Sequence, residues 1–186
     1  MTIYSWGYCV LWAIFAGYWL LRWGGNKRTV RTASATPRLV VAACLVLLLL
    51  DRRILPPAWD RPLLRHTPAL ELAGLLICAA GVALGVWARR TLGTNWSANP
   101  TIKEGHQLVE SGPYRLVRHP IYSALYLAVL GSALGGSRPL DALVFAAVAV
   151  SFWFKLRVEE KLMLQQFPAA YPEYRRRTKA VIPWVL

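Results

Sequence analysis

Three short segments of the chain hold side chains that can bind a ligand or take part in a reaction. The first is the run 112–122, in which Pro120 suits the first position of a helix because its missing N–H would have no partner there. Arg118 and His119 then lie at a helix N-terminus, where unpaired amides and the helix dipole attract an anion. Tyr122 adds a ring and a hydroxyl on the first turn. An ordinary helix start with a snorkelling arginine and an interfacial tyrosine fits the same spacing equally well.

The second segment is a pair of adjacent carboxylates, Glu159 and Glu160, preceded by Arg157. Carboxylates at the end of an apolar run can bind an ammonium group or sugar hydroxyls. Neighbouring residues of a helix point about 100° apart, so we expect only one of the two to face a given ligand. Pairing of Glu159 with Lys155, four residues earlier on a solvated helix end, is the simpler interpretation of the residues alone.

The third segment, residues 167–177, combines aromatic and basic residues. Helical spacing places four side chains on one face, namely Tyr171, Tyr174, Arg175 and Thr178. Such a face can close a ligand site. It is also typical of an amphipathic helix that lies on anionic lipid, and the two interpretations are compatible.

Long apolar runs must position these segments. The chain has 186 residues, 56% of them hydrophobic, and a run of about 20 apolar residues crosses a bilayer as a helix. The sequence predicts an all-α fold, a polytopic membrane helix bundle of about five transmembrane helices. They cover residues 3–21, a run centred on 39–50, and residues 69–88, 120–136 and 140–156, the last helix continuing beyond the membrane.

The net charge of +13 is distributed unevenly between the spans. If the N-terminus is outside, 17 of the 22 Lys and Arg residues lie on the cytosolic side, as the positive-inside rule requires. This pattern explains the charge better than a nucleic-acid partner does. Because the span centres are almost purely apolar, we expect a site at the cytosolic interface, within residues 89–119 and 157–186, rather than a transport path. The three cysteines lie in apolar runs and predict neither a metal site nor a disulfide framework.

Taken together, these segments resemble a known family. GPYRLVRHPIY, one apolar hairpin and RVEEKLMLQQFPAAYPEYRRRTKAVIP are similar to the C-terminal core of isoprenylcysteine carboxyl methyltransferases, and the upstream LGTNWS and GHQLVESGPY are similar to its approach. The resemblance covers about residues 92–184. It divides the chain into N-terminal transmembrane helices over 1–91 and a methyltransferase core over 92–186. Pro168 and Ala170 depart from the family pattern of glycine and an acidic residue.

The resemblance implies S-adenosylmethionine as cofactor, in a cytosolic pocket that the C-terminal segments enclose, and no metal. Carried over, the cofactor-binding positions are His106, Gln107, Leu108, Val109, Tyr114, His119, Pro120, Ile121, Tyr122 and Glu159. Arg118 and Glu160, next to two of them, are predicted to bind the cofactor as well. Lys155 and Arg157 are both candidates for the basic residue that contacts the substrate, and the match does not choose between them. The length is similar to that of short prokaryotic members, which implies a multi-pass protein of the inner membrane.

The function implied is methyl transfer to a lipid-borne acceptor, above all the carboxylate of a prenylcysteine-like small molecule or protein that enters from the bilayer lipids. A carboxylate is ionised near neutral pH and needs no general base; it needs alignment and exclusion of water. Three alternatives stay open: a phospholipid amine methyltransferase, an NADPH-dependent membrane reductase with a similar core, and a non-catalytic lipid-binding membrane protein. Amine methylation would require a route for proton removal. The oligomeric state does not follow from the sequence.

Overall fold

The computed structural model describes residues 3–22, 29–32, 56, 59, 61–96, 101–103 and 107–183. Five helices account for most of them: α1 (Ile3–Leu21), α2 (Pro68–Leu92), α3 (Pro120–Gly136), α4 (Pro139–Gln166) and α5 (Ala170–Arg177). Two 3₁₀ turns cover Gly93–Asn95 and Gly112–Arg115. The helical class is as predicted, except that strands β1 (Thr29–Thr32) and β2 (Thr101–Lys103) form a short antiparallel ladder, which the sequence analysis did not anticipate.

Two of these helices are long and apolar enough to cross a bilayer. They are α2 with its following turn, Pro68–Asn95, and α4, with mean hydropathies of 2.2 and 1.6. Only 28% and 33% of their apolar windows are buried, whereas the core helix of a soluble protein is mostly buried. Large apolar side chains such as Leu76 and Phe154 instead point outward, with 61% and 65% of their surface exposed. Such exposure fits a lipid environment.

Four of the five predicted spans correspond to helices. The N-terminal helix α1 has 19 residues and α3 has 17, both apolar and without charged residues in their terminal turns. The span centred on residues 39–50 lies outside the described residues, so a total of five stays a prediction. The last predicted span does continue as a helix, to Gln166.

Small residues let α2 and α3 cross with their backbones in contact. A Cβ added at Gly81 would lie 2.5 Å from the backbone N of Ala128 and 2.7 Å from the carbonyl O of Ala124. Likewise, a Cβ at Gly74 would lie 2.6 Å from the carbonyl O of Gly131. The pairing of 74 with 131 and of 81 with 124–128 makes the two helices antiparallel. Close approach through glycine and alanine is typical of helix contacts in membranes.

Helices α1 and α4 pack on either side of this pair. On α1, the Tyr8 hydroxyl donates to the carbonyls of Glu71 (3.2 Å) and Gly131 (3.3 Å). Helix α4 turns one apolar face inward, because every fourth residue from Leu140 through Val144 and Val148 to Phe152 and Leu156 is buried. Tyr122 completes this cluster together with Ala180 and Val181 from the chain beyond α5.

This arrangement brings the ends of α1, α2 and α4 and the start of α3 to one end of the bundle, which we call the polar end. The Arg89 Nη2 atom near the end of α2 donates to the carbonyl of Arg22, just after α1. At the opposite end, the Leu63 amide donates to the carbonyl of Ser137 in the α3–α4 connection. The positive-inside interpretation requires the same grouping of helix ends.

Candidate functional site

At the polar end, the His119 ring lies between two carboxylates. His119 precedes the first residue of α3, and its Nδ1 is 3.5 Å from Glu159 Oε2 while its Nε2 is 3.7 Å from Glu160 Oε1. The ring also stacks on Tyr122, with centroids 5.4 Å apart and planes 5° apart. The two nitrogens of the imidazole ring therefore meet one carboxylate each, while the expectation that only one carboxylate faces a given ligand stays a prediction.

Arg118 binds Glu160 and the chain after α5 at the same time. Its Nε and Nη2 lie 2.7 and 2.6 Å from Glu160 Oε1. Its Nη1 donates to the carbonyl of Thr178 and, at 3.4 Å, to that of Arg175. The Arg175 Nε is 3.6 Å from the other Glu160 oxygen. Glu160 thus places a carboxylate of the protein beside this helix start.

The chain after α5 runs alongside the residues that precede α3. The amides of Arg118 and His119 donate to the carbonyls of Lys179 (2.8 Å) and Ala180 (2.9 Å), and Val117 and Lys179 form a parallel bridge. These bonds satisfy amides that would otherwise lack partners at a helix N-terminus. We call residues 178–181 the tail segment; it covers the start of α3.

Helix α5 differs from the single aromatic and basic face that its spacing predicts. Tyr171 and Tyr174 are buried, with 2% and 3% of their surface exposed, and the Tyr174 hydroxyl donates to the carbonyl of Tyr114 at 2.6 Å. Arg175 is exposed together with the two arginines that follow it. Three members of the predicted face, Tyr171, Tyr174 and Thr178, are buried together. Arg175 departs from it, because its side chain is exposed even though its Nε reaches Glu160.

The structure separates the two candidate basic residues. Lys155 Nζ lies 5.3 Å from the centre of the Tyr122 ring and 4.0 Å from Glu159 Oε1, so it belongs to the cluster. Arg157 is exposed, and its guanidinium carbon lies 4.7 Å from the centre of the Trp153 ring. Residues four apart share a helix face, which places Lys155 with Glu159 and Arg157 with Trp153.

The other predicted positions surround this cluster or lie at its margin. Pro120 is the first residue of α3 and is buried, and Ile121 beside it is half-buried. Gln107 is exposed, Leu108 and Val109 are half-buried, and His106 lies outside the described residues. Next to them, Glu110 accepts a hydrogen bond of 2.8 Å from Arg177 Nη2, which joins this segment to α5.

Burial and neighbouring charges set the protonation of the cluster. Burial lowers the pKa of His119, but the nearby carboxylates Glu159 and Glu160 outweigh burial, so its pKa is raised and the protonated ring is favoured. Burial raises the pKa of the Tyr114 hydroxyl, and the charges of Tyr174 and Glu159 add to this effect, while Arg89 opposes it. Tyr114 therefore remains a neutral hydroxyl.

Arg89 is a buried charge that the sequence analysis treated only as the end of a span. Its Nη1 donates to the carbonyl of Gly93 at 2.6 Å, its Nη2 donates to that of Arg22 at 2.8 Å, and its guanidinium lies 4.6 Å from the Trp96 ring. Only 3% of its surface is exposed. The doubled arginine at the end of the span was the available signal, because two neighbours on a helix point in different directions and one of them has to face inward.

Comparison with known proteins places this geometry in a family. The family model described as phospholipid methyltransferase matches residues 70–170. The chain is 32% identical over 133 residues to the protein-S-isoprenylcysteine O-methyltransferase of Saccharomyces cerevisiae, which covers 68% of this chain and 55% of the yeast protein. It is 32% identical over 148 residues to the cobalt-zinc-cadmium resistance protein CzcN of Cupriavidus metallidurans, which covers 78% and 61% of the two chains.

A solved structure shares the fold. It is that of the eukaryotic intramembrane Ras methyltransferase ICMT, an isoprenylcysteine carboxyl methyltransferase, with a TM-score of 0.59 and 23% identity over 84% of this chain and 55% of the other. The chain thus spans between half and two thirds of the length of these three relatives. Because the family model matches more than half of its residues, the chain belongs to the phospholipid methyltransferase family, and its resemblance to isoprenylcysteine carboxyl methyltransferases is confirmed.

Proposed function

We propose that the chain is an integral membrane methyltransferase that uses S-adenosylmethionine to methylate the carboxylate of a lipid-borne, prenylcysteine-like acceptor. Relatives named protein-S-isoprenylcysteine O-methyltransferase support the reaction class. The polar end of the bundle supports the location, because there the buried charges of His119, Glu159 and Glu160 meet the ends of apolar helices. At such a boundary a water-soluble cofactor and a lipid-like acceptor can reach one site.

The observation that carries the proposal is the position of Lys155. Its ammonium lies over the Tyr122 ring and beside Glu159, and its side chain is only 13% exposed. A cation held there can orient the carboxylate of an acceptor that arrives along α4 from the bilayer. We assign this role to Lys155 rather than to Arg157, which stacks on Trp153 away from the cluster.

The donor set fits S-adenosylmethionine. His119 Nε2 is buried and lies 3.7 Å from Glu160 Oε1, too far for a hydrogen bond, so its N–H suits the carboxylate of the cofactor. The aromatic faces of Tyr114 and Tyr122 suit its sulfonium cation, and Glu159 suits its amino group or ribose hydroxyls. Gln107, Leu108, Val109, Pro120 and Ile121 are proposed as further contacts, with Arg118 and Glu160 holding His119 in place. When bound, this cofactor supplies an electrophilic methyl group on sulfur.

The charge state of the cluster favours a carboxylate acceptor over an amine. An amine loses a proton when it is methylated, so the site would have to accept that proton. The two glutamates raise the pKa of His119 and favour its protonated form, which cannot accept a second proton. A carboxylate acceptor requires only alignment with the methyl group and exclusion of water. Phospholipid amine methylation is the second candidate, because the description of the matching family names phospholipids.

One assay separates the two acceptors. Detergent-purified protein is incubated with S-adenosylmethionine labelled in its methyl group and either a farnesylcysteine blocked at its amino group or phosphatidylethanolamine. We expect the farnesylcysteine to become labelled and alkali to release that label, since a methyl ester hydrolyses in alkali and an N-methyl amine does not. Alkali-stable label on phosphatidylethanolamine would favour the second candidate. Label on neither, with no binding of S-adenosylhomocysteine, would contradict both, and NADPH binding in its place would indicate a reductase.

The roles of the two basic residues can be measured separately. Lys155→Ala should raise the KM for the farnesylcysteine by about 10-fold or more, since a hydrogen bond to a charged group contributes about 1.5–3 kcal/mol, and should change the affinity for S-adenosylhomocysteine little. Arg157→Ala is the matched control, two residues away on the same helix, and should leave both values near those of the parent protein. A larger effect of Arg157→Ala would reverse the assignment.

Glu159 tests the cofactor side of the site. Glu159→Ala should weaken the binding of S-adenosylhomocysteine measured by calorimetry, while the helical content stays the same because Glu159 lies in the last eight residues of α4 and is not part of the apolar core. Glu173→Ala, which removes an exposed carboxylate on α5, is the control. Equal affinities in the two variants would remove Glu159 from the proposed cofactor site.

We also propose that the chain is a multi-pass protein of a prokaryotic inner membrane, with the N-terminus outside and the polar end in the cytosol. The positive-inside distribution supports this orientation. A cysteine introduced at Arg65, at the opposite end of the bundle, should react in intact cells with a thiol reagent that cannot cross membranes. A cysteine introduced at Arg176 should react only after permeabilisation, and the reverse pattern would invert the proposed topology.

A further inference from the structure

The polar end carries a dense group of exposed basic side chains outside the cluster around His119. They are Arg115, Arg176, Arg177 and Lys179, which we call the basic face. Two carboxylates lie among them: Glu173 pairs with Arg176 and Arg177, and Glu110 pairs with Arg177. Among the described residues of this surface, four cations thus stand against two anions, and the surface is positive overall.

The basic face lies where the apolar helices end. Helix α5 begins four residues after α4 ends, so its arginines stay near the end of that span. The carbonyl of Lys179 accepts a hydrogen bond from the amide of Arg118, and Arg118 lies two residues before the start of α3. Arg115 is the last residue of the 3₁₀ turn that precedes the same helix start. If α3 and α4 lie in the bilayer, the basic face is therefore held at the level of the lipid headgroups.

Two exposed apolar side chains accompany the cations. Leu116, next to Arg115, and Ile182, three residues after Lys179, expose 52% and 50% of their surface. Apolar side chains beside Lys and Arg are typical of segments that lie in the interface between headgroups and acyl chains. The inward anchoring of Tyr171 and Tyr174 leaves the arginines of α5 no role in the apolar core.

We propose that the basic face binds the headgroups of anionic phospholipids and thereby seats the polar end on the membrane surface. Charge complementarity selects the lipid class: a phosphatidylglycerol headgroup carries a net negative charge, whereas a phosphatidylcholine headgroup has none. The inference requires that the protein resides in a membrane but not that it transfers a methyl group. It can therefore be tested independently of the proposed reaction.

The test measures lipid binding directly. Detergent-purified full-length protein is titrated with phosphatidylglycerol in mixed micelles, with phosphatidylcholine in parallel, and bound lipid is counted by native mass spectrometry. The test variant is Arg176→Gln/Lys179→Gln. Its matched control, Arg61→Gln/Arg65→Gln, removes two exposed arginines from the opposite end of the bundle. Neither variant changes a residue of the cluster around His119.

The parent protein and the control variant should bind phosphatidylglycerol in preference to phosphatidylcholine. A Lys or Arg near an anionic membrane surface contributes about fivefold in affinity, so the test variant should bind phosphatidylglycerol about 25-fold more weakly. Equal binding of the two lipids by the parent protein would overturn the inference. An equal loss in the test and control variants would also overturn it, because net charge rather than the basic face would then account for binding.

Discussion

The crossing of α2 and α3 and the charged cluster around His119 are both buried, but different forces hold them together. At the crossing, Gly81 meets the backbone of α3 with no side chain between the helices. In the cluster, Arg118 and His119 meet Glu159 and Glu160 through charge, and the two basic residues and the two carboxylates come from different parts of the chain. Close contact between two backbones stabilises the crossing, whereas pairing of opposite charges stabilises the cluster.

The difference teaches which changes each region can accept. A close-packed crossing loses stability when any atom is added, because backbone atoms cannot turn aside as side chains do. A buried ion pair loses stability when one partner is removed, because the remaining charge is left without compensation, whereas removal of both partners is often tolerated. Predictions for the two regions therefore differ in kind.

The largest effect is expected at Arg118. Arg118→Ala should lower the free energy of unfolding by about 3–5 kcal/mol, since Glu160 would lose its main counter-ion and the tail segment would lose its bond to Arg118. Thermal unfolding in detergent measures the change. Arg118→Met/Glu160→Leu, which removes both charges, should be less destabilised than Arg118→Ala. A double variant as unstable as the single one would show that pairing is not what holds the cluster.

A smaller loss is expected at the crossing. Gly81→Ala should cost about 1–3 kcal/mol, because its Cβ would overlap backbone atoms of Ala124 and Ala128 and the helices would have to separate. Gly17→Ala on α1 is the matched control, since nothing lies within 4 Å of the position of its added Cβ. Both variants are compared by thermal unfolding. Equal stability of the two would contradict close contact between α2 and α3.

The contribution of His119 should depend on pH. Its folded-state pKa is raised above the unfolded value of about 6.5 by Glu159 and Glu160, so the stabilisation is fully present below that value and is lost as pH rises through the folded pKa. The difference in Tm between the parent protein and His119→Asn should therefore be largest near pH 6 and should shrink towards pH 9. Parallel pH profiles would mean that His119 is not held as a cation.

The smallest effect is expected at Arg157. Its guanidinium lies over Trp153 on the exposed side of α4, and such a contact contributes about 0.5–1 kcal/mol at an exposed site. Arg157→Ala should therefore shift thermal unfolding little. A loss of stability as large as that of Arg118→Ala would mean that the exposure of an arginine does not determine how much it stabilises the fold. The contrast between paired and solvated charges would then be contradicted.

The sequence predicted the helices well because each depends on a local pattern. Uninterrupted apolar runs and Pro120 at a helix start are visible without knowledge of the fold, and α3 begins at Pro120 as predicted. The division of the chain at residues 91 and 92 stays a prediction. The ladder between Thr29–Thr32 and Thr101–Lys103 escaped notice because it joins two short segments about 70 residues apart.

The candidate site was predicted as a set of residues but not as an arrangement. Motif spacing singled out His119, Glu159 and Lys155, yet it could not show that both glutamates would face one ring. Nor could spacing choose Lys155 over Arg157, because the choice depends on which face of α4 meets Tyr122. The inward turn of Tyr171 was missed for the same reason, since helical periodicity groups residues on a face without saying what that face packs against.

The parallel pairing of the tail segment with Val117, Arg118 and His119 has a consequence for synthesis. Residues 179 and 180 are translated about 60 residues after their partners, which at about 5–20 residues per second takes about 3–12 seconds. During that interval α3 and α4 are synthesised, while the start of α3 waits without the tail segment that will cover it. A ribosome stalled in this window would hold a nascent chain whose charged cluster is still incomplete.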